Sequence, residues 1–228
     1  MRALALSLLA TVLTAQEAPA DVETIVKLPA PKVGAFSLDD ALKERRSVRE
    51  LTGPALSLDV ISQLLWSAQG ENRPGTGRRT VPSASARYPL ELYVVVSDSE
   101  QLPQGVYKYS FKEHSITKMS ALSRDGDPES FFGAINPTSP WILKAPAVFI
   151  ISGVSSRMKD YDKNPNSREL YTFWESGAAA QSLCLQVAAL GLGATVVLGT
   201  DLPAVKKAAG LSDDERVCVI IPVGRIVK

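Results

Sequence analysis

The feature that most constrains this chain is the run from Trp174 to Leu190, apolar on nearly every side at helical spacing and stopped at Gly191-Leu192-Gly193. A helix with apolar residues all round cannot lie on a surface and has to be enclosed by other elements. With 228 residues, the chain is long enough to enclose it in one large domain that holds itself together without metals or disulfide bridges. Strands and helices are mixed around this run without a regular βαβ alternation. That order points to an α+β fold rather than a doubly wound sheet.

Local signals divide the rest of the chain. Ser37 is a candidate N-cap, followed by Asp39 and Asp40 in a first helical turn and by an apolar face of Leu38, Ala41 and Leu42. A second helix follows Ser57, with Leu58, Ile61, Leu64, Leu65 and Ala68 on one side and Gly70 as its stop. The loop Glu71 to Thr80 is basic and expected to be mobile. It leads through Val81-Pro82-Ser83-Ala84-Ser85-Ala86-Arg87-Tyr88-Pro89 into a strand from Leu90 to Ser97. A hairpin is expected over Gly105–Ser110 and Ser115–Met119, a short helix over Ser130–Ile135, and a buried strand over Ala147–Ile151. The polar stretch Ser155 to Glu169 reads as a flap or surface loop. After the long helix come a strand over Thr195–Leu198, a helix opened by Pro203 and closed by Gly210, and a last strand over Val217–Val223.

The N-terminus follows a different pattern. Arg2 precedes an apolar run from Ala3 to Leu13, too short to span a bilayer, and small residues follow. Residues 1–20 therefore read as a secretory signal peptide, with cleavage after Ala15 or after Ala18-Pro19-Ala20, and the protein as exported, periplasmic or secreted. Residues 21–35 form an arm or linker, and 36–228 the domain. Formal net charge is +1, so no global field favours nucleic acid or an anionic membrane, and no membrane span remains after processing. Cys184 and Cys218 fall in apolar segments, too few for a disulfide framework, and pair only if the fold brings them together. His114 is the single histidine, which argues against zinc sites built on several imidazoles; its alternating surroundings mark a strand residue.

Basicity is local instead. Arg45, Arg46, Ser47 and Arg49 follow the first helix, offering three guanidiniums and a hydroxyl in five residues. That is enough to neutralise a phosphate dianion, since a planar guanidinium holds two oxygens at once, while Val48 can turn inward and fix the segment. The same residues would also complement the dipole at a helix end. Gly191-Leu192-Gly193 is not a dinucleotide-binding turn, because those glycines end a helix rather than begin one. Ser115–Lys118 and Ser156–Lys159 match Ser-x-x-Lys, yet the other elements of a penicillin-recognising serine enzyme are absent.

Arg45-Arg46-Ser47-Val48-Arg49 resembles the Arg-x-Ser-x-Arg/Lys signature of the FMN-dependent nitroreductases. The likeness runs on in order through Leu64-Leu65-Trp66-Ser67-Ala68-Gln69-Gly70, Arg79-Thr80-Val81-Pro82-Ser83-Ala84, Tyr88-Pro89-Leu90-Glu91-Leu92-Tyr93 and Gly105-Val106-Tyr107-Lys108-Tyr109. It continues through Arg168–Tyr171, Glu175-Ser176-Gly177-Ala178-Ala179-Ala180-Gln181 and Pro222-Val223-Gly224-Arg225. It covers nearly everything from Phe36 onward and is nearest to the thiazoline/oxazoline dehydrogenases of peptide modification clusters.

The resemblance implies a three-layer α+β fold, with a mainly antiparallel sheet flanked by helices, and a homodimer holding FMN in two clefts between subunits. Arg45, Arg46 and Ser47 would hold the phosphate and ribityl chain, with Arg225 and Lys228 completing that end. Arg49 would lie near N1 and O2 of the ring. Pro82, Ser83 and Ala84 would line the ring from the partner subunit. Backbone N–H groups around Glu175, Ser176 and Gly177, at the start of the buried helix, would address N5 and O4. A hydride would pass through N5 between a small organic substrate and an electron donor or acceptor. A non-catalytic flavin-binding protein of the same fold is the alternative. Glycine is common in the family where this chain has Ser85, and the assisting Lys and Tyr of the azoline dehydrogenases have only Lys159 and Tyr161 as counterparts in a loop.

Overall fold

Three strands of β-branched and aromatic residues, β5 (Leu90–Val96), β8 (Ala147–Gly153) and β10 (Arg216–Ile226), are buried on both faces and form the middle of the molecule. A computed structural model describes residues 24–119 and 140–227. The other strands are β1 (Ile25–Lys27), β2 (Leu51–Thr52), β3 (Glu71–Arg73), β4 (Arg78–Arg79), β6 (Gly105–Ser110), β7 (Ser115–Lys118) and β9 (Gly193–Ala194). The main sheet runs β1-β7-β6-β5-β8-β10-β2, with β9 also on β10, and every pairing in it is antiparallel.

Alternation along the central strands feeds two cores, as period-two geometry requires. Val94, Val96, Phe149, Ile151 and Ile221 pack on one side with α2 (Leu58–Gln69) and α3 (Pro165–Ala189). Tyr93, Val95, Val148, Ile150 and Ile220 pack on the other with α4 (Leu202–Ala208). The result is the expected three-layer α+β fold. Each fully buried aliphatic or aromatic side chain stabilises it by about 1.5–3 kcal/mol. In the second core, Glu215 is 4% exposed and accepts from Tyr93, Ser152 and Ser212, so this buried carboxylate is satisfied by hydroxyls.

The first two helices start at their expected caps, α1 (Leu38–Glu44) at Ser37 and α2 at Ser57, whose side chains accept from the backbone N–H groups of Asp40 and Val60. The helix expected over Ser130–Ile135 lies outside the described residues. Several expectations need correction. His114 lies in the turn before β7 with φ 44°, not in a strand; the strand expected over Thr195–Leu198 is β9 followed by an isolated bridge at Val197; and of the expected apolar face of α1 only Ala41 is buried. The basic loop after Gly70 is a small hairpin of β3 and β4, because Glu71 reaches across to accept from the Gly77 N–H. The long helix begins at Pro165, not Trp174, since Asn164 caps it and Pro165 suits its first turn. It is also not enclosed all round: Leu170 is 70% and Trp174 63% exposed. The pattern of Trp174–Leu190 marks two apolar faces, and only one of them meets the core of this chain.

Part of the N-terminal arm joins the sheet. β1 pairs with β7, Leu28 is buried, and the Leu28 N–H donates to the His114 carbonyl. The His114 ring locks this arrangement: Nε2 lies 2.9 Å from the Pro29 carbonyl and 2.8 Å from Ser62 Oγ, and Nδ1 lies 2.9 Å from the Tyr109 hydroxyl. Burial holds the ring's pKa below its ordinary value of 6.5, with the Pro29 carbonyl partly opposing that effect. Above that value the ring is neutral in both folded and unfolded chains. As pH falls below it, the unfolded chain takes the proton first and stability drops. His114→Gln should therefore be less stable than wild type at pH 7 by about 1 kcal/mol, from lost hydrogen bonds. Denaturant titrations should show that gap narrowing toward pH 5; a constant gap would remove His114 as the cause.

Candidate functional site

Arg45 is the C-cap of α1, with extended φ/ψ and its N–H bonded to the Ala41 carbonyl. The chain then bends past β9. The Val48 N–H donates to the Ala194 carbonyl (2.9 Å), and Thr195 Oγ1 donates to the Val48 carbonyl (2.6 Å). Val48 packs inward as expected, against the second core. This close approach depends on Gly193, where a Cβ would fall 2.9 Å from both Val48 and Leu51. The Gly-x-Gly signal thus had a meaning that sequence reading missed: its second glycine seats the arginine segment.

With the backbone held, Arg46, Ser47 and Arg49 are exposed, and Arg45 is half-buried. Arg45, Arg46 and Ser47 line a small cleft with Cys184, Val187 and Ala188 of α3 and with Ile226. Arg225 precedes Ile226 on β10, opposite Thr52 of β2, so it belongs to the same end of the molecule. Among the described residues, the ion pair recorded for these arginines is Arg46 to Glu44 at 3.9 Å, with both side chains more than half exposed. Such a pair is worth little, and the guanidiniums remain available to an anion. Lys228 lies outside the described residues.

The second group of expected residues gathers elsewhere. Glu175 is 1% exposed, and its carboxylate accepts from Ser83 Oγ (3.0 Å) and the Ala84 N–H (2.8 Å). Burial raises its pKa, while those two donors pull the other way. Ser83 Oγ in turn accepts from the Tyr88 N–H, closing a tight loop. Ser85, Ala86 and Tyr88 all have positive φ, at 48°, 54° and 47°. Ser85 therefore adopts the left-handed conformation that glycine takes most readily, a strain typical of functional loops. Pro82 is exposed beside it.

One predicted position is corrected. Glu175, Ser176 and Gly177 lie well inside α3, where backbone N–H groups are committed to carbonyls four residues back. They do not form a helix N-terminus, and the Glu175 side chain serves the Ser83–Ala84 loop instead. Lys159 and Tyr161 follow a short 3₁₀ segment (Ser155–Met158); Lys159 is exposed, and Tyr161 packs on Tyr171. Ser115 sits on β7 and Ser156 in that single 3₁₀ turn, so neither Ser-x-x-Lys match opens an α-helix. Cys184 and Cys218 are both buried and free.

The two groups do not meet within one chain. The Ser83 loop docks at Glu175, whereas the arginine cleft docks at Cys184 to Ala188. From Glu175 to Cys184 and Ala188 the axis of α3 rises about 14 to 20 Å at about 1.5 Å per residue.

The Nitroreductase family model matches residues 42–225, which takes in the arginine cleft, the Ser83 loop and α3. A nitroreductase-family protein of Methanocaldococcus jannaschii, MJ1384, is 36% identical over 174 residues, 76% of this chain and 84% of its own length. The trifolitoxin-processing protein TfxB of Rhizobium leguminosarum bv. trifolii is 40% identical over 76 residues, 30% of this chain and 20% of its own. Among solved structures, a nitroreductase-family protein of Ralstonia eutropha JMP134 superposes with a TM-score of 0.75 at 27% identity, covering 90% of both chains. The fold, the ordered motifs and these matches agree: the chain is a member of the nitroreductase family, a family of oxidoreductases that generally bind flavin.

Proposed function

We propose that the protein is an exported, FMN-dependent oxidoreductase whose two active sites form between two copies of the chain. The observation that carries this reading is the separation of the half-sites along α3, combined with the exposed face between them. Leu170, Trp174, Gly177 and Gln181 recur at helical spacing on that face, and all four are exposed. Two copies of α3 packed antiparallel through Gly177 would set the arginine end of one chain, at Cys184 to Ala188, against the first turns up to Leu170 of the other. Apolar area of this kind is what a stable dimer buries.

In that arrangement Arg45, Arg46, Ser47 and Arg225, with Lys228, hold the phosphate end. Their backbone is already fixed, and their cations suit a dianion. Arg49, further along the segment, offsets negative charge on the N1–O2 edge of the ring. Pro82, Ser83 and Ala84 wall the ring from the other chain, and Glu175 keeps that wall in place. Bound FMN would supply a two-electron carrier that exchanges a hydride at N5 with a small organic substrate. No side-chain acid or base is assigned. Residues 1–20 act as the export signal. The local similarity to a trifolitoxin-processing protein favours the thiazoline/oxazoline dehydrogenase branch of the family.

The test is the visible spectrum of the purified protein, followed by anaerobic reduction. Flavin absorbance that bleaches with a nicotinamide or dithiol donor and returns with an organic acceptor is the expected result. Flavin that is retained but never reduced by any donor would favour a non-catalytic flavin-binding protein. Colourless protein that takes up no added FMN would end both.

A further inference from the structure

β5 and β6 pair from Tyr93–Lys108 to Val96–Gly105 and then separate. β5 continues to Leu90 bonded to β8, while β6 continues through Tyr109 and Ser110 bonded to β7. A cavity of about 680 Å³ opens in this split, a size that suits a small organic ligand. The unpaired stretch of β5, Leu90 to Leu92, is too short to recruit an added strand.

The chemistry of the cavity is one-sided. Met119 and the exposed edges of Leu90 and Leu92, each 2% exposed, provide apolar surface, whereas Arg87, Lys108, Lys112 and Arg157 bring positive charge. Glu91 is the one carboxylate among the described lining residues, and it is already engaged by Arg157 and by Lys108 at 3.5 Å; Lys108 also lies 3.8 Å from Glu215. Arg79 adds a fifth cation from within. Its guanidinium is stacked between Tyr88 (4.4 Å) and Phe111 (3.8 Å), and Nη1 donates to Gln69 Oε1 (2.7 Å). Nε has no acceptor, and among the described residues no carboxylate lies within ion-pair distance. Burial depresses its pKa to about 10, with the charge of Glu91 partly opposing the shift. A desolvated guanidinium held only by neutral partners favours an incoming anion.

We propose that this cavity binds a small organic carboxylate, its apolar body on Leu90, Leu92 and Met119 and its charged head toward Arg79, Lys108 and Arg157. A planar carboxylate matches guanidinium geometry, and the apolar floor selects against a bare inorganic anion. The site lies within one chain and does not depend on flavin or on dimer formation. It does share a wall with the Ser83 loop, since Arg87 and Tyr88 belong to both.

Titration calorimetry of the intact protein with 2-naphthoate tests this, with 2-naphthamide and inorganic phosphate as controls. Saturable binding at one site per chain is expected, with the neutral amide and phosphate each weaker by about tenfold or more. Arg79→Gln should weaken 2-naphthoate by a similar factor. The double variant Arg157→Gln/Lys112→Gln alters exposed side chains only, should weaken it at least threefold by the same reasoning, and keeps the test valid if Arg79→Gln fails to fold. No saturable binding, equal affinity for the amide, or an affinity unchanged in the double variant would each overturn the proposal. Because flavin absorbance is read separately, failure here is distinguishable from failure of the flavin assignment.

Discussion

Arg45→Ala is expected to weaken FMN binding by about 10- to 100-fold, the loss that follows from removing one or two charge-assisted hydrogen bonds. The side chain starts from a capping residue whose backbone is tied to Ala41, so wild-type protein orders little on binding. It points into a cleft walled by Cys184 and Val187, where an anion would be partly shielded from water. Arg49→Ala should also weaken binding, and it carries a second signature. With no cation beside the N1–O2 edge, the reduced flavin gains less stabilisation and its reduction potential falls. Fluorescence titration gives the affinities, and equilibration against redox dyes gives the potential. If both variants hold FMN as tightly as wild type, the arginines only terminate a helix.

Gly177→Trp should convert the dimer to a monomer and remove flavin binding while leaving the chain folded. Nothing in this chain lies within 4 Å of a Cβ at Gly177, so a side chain there has room in the single chain and would clash only across the proposed interface. Replacing glycine inside a helix otherwise tends to stabilise it, by up to about 1 kcal/mol in the case of alanine. Light scattering would show the change in mass, circular dichroism the retained fold, and the visible spectrum the missing cofactor. A Gly177→Trp protein that stays dimeric and yellow would place the interface elsewhere. Each half-site would then lack its complement, and the two-chain active site would have to be abandoned.

Particular elements explain how much the sequence disclosed. The caps at Ser37 and Ser57 were legible because capping is a local hydrogen bond between neighbouring residues. The central strands were legible because burial on both faces leaves uninterrupted apolar runs. The start of α3 was not, since its first turns carry the polar residues of an exposed surface and only Asn164-Pro165 marks the boundary. The β3–β4 hairpin was missed for a similar reason: its closure rests on specific contacts such as Glu71 with the Gly77 N–H and Thr76 with the Arg73 carbonyl.

The sequence by itself determined the order of the main helices and central strands, the α+β class and the ordered motifs that place the chain in its family, because each is written in local periodicity or in residue order. Only the tertiary structure decided what the motif residues do for one another. Gly193 became a seat for the arginine segment, Glu175 became the anchor of the Ser83 loop rather than a helix terminus, and Arg79 moved from a supposed loop to the wall of a cavity. Those roles depend on contacts between segments far apart in the chain, which no local pattern encodes. The separation of the two groups along α3, one near its middle and one near its C-terminal end, is the clearest instance, since only the length of a rigid helix reveals it.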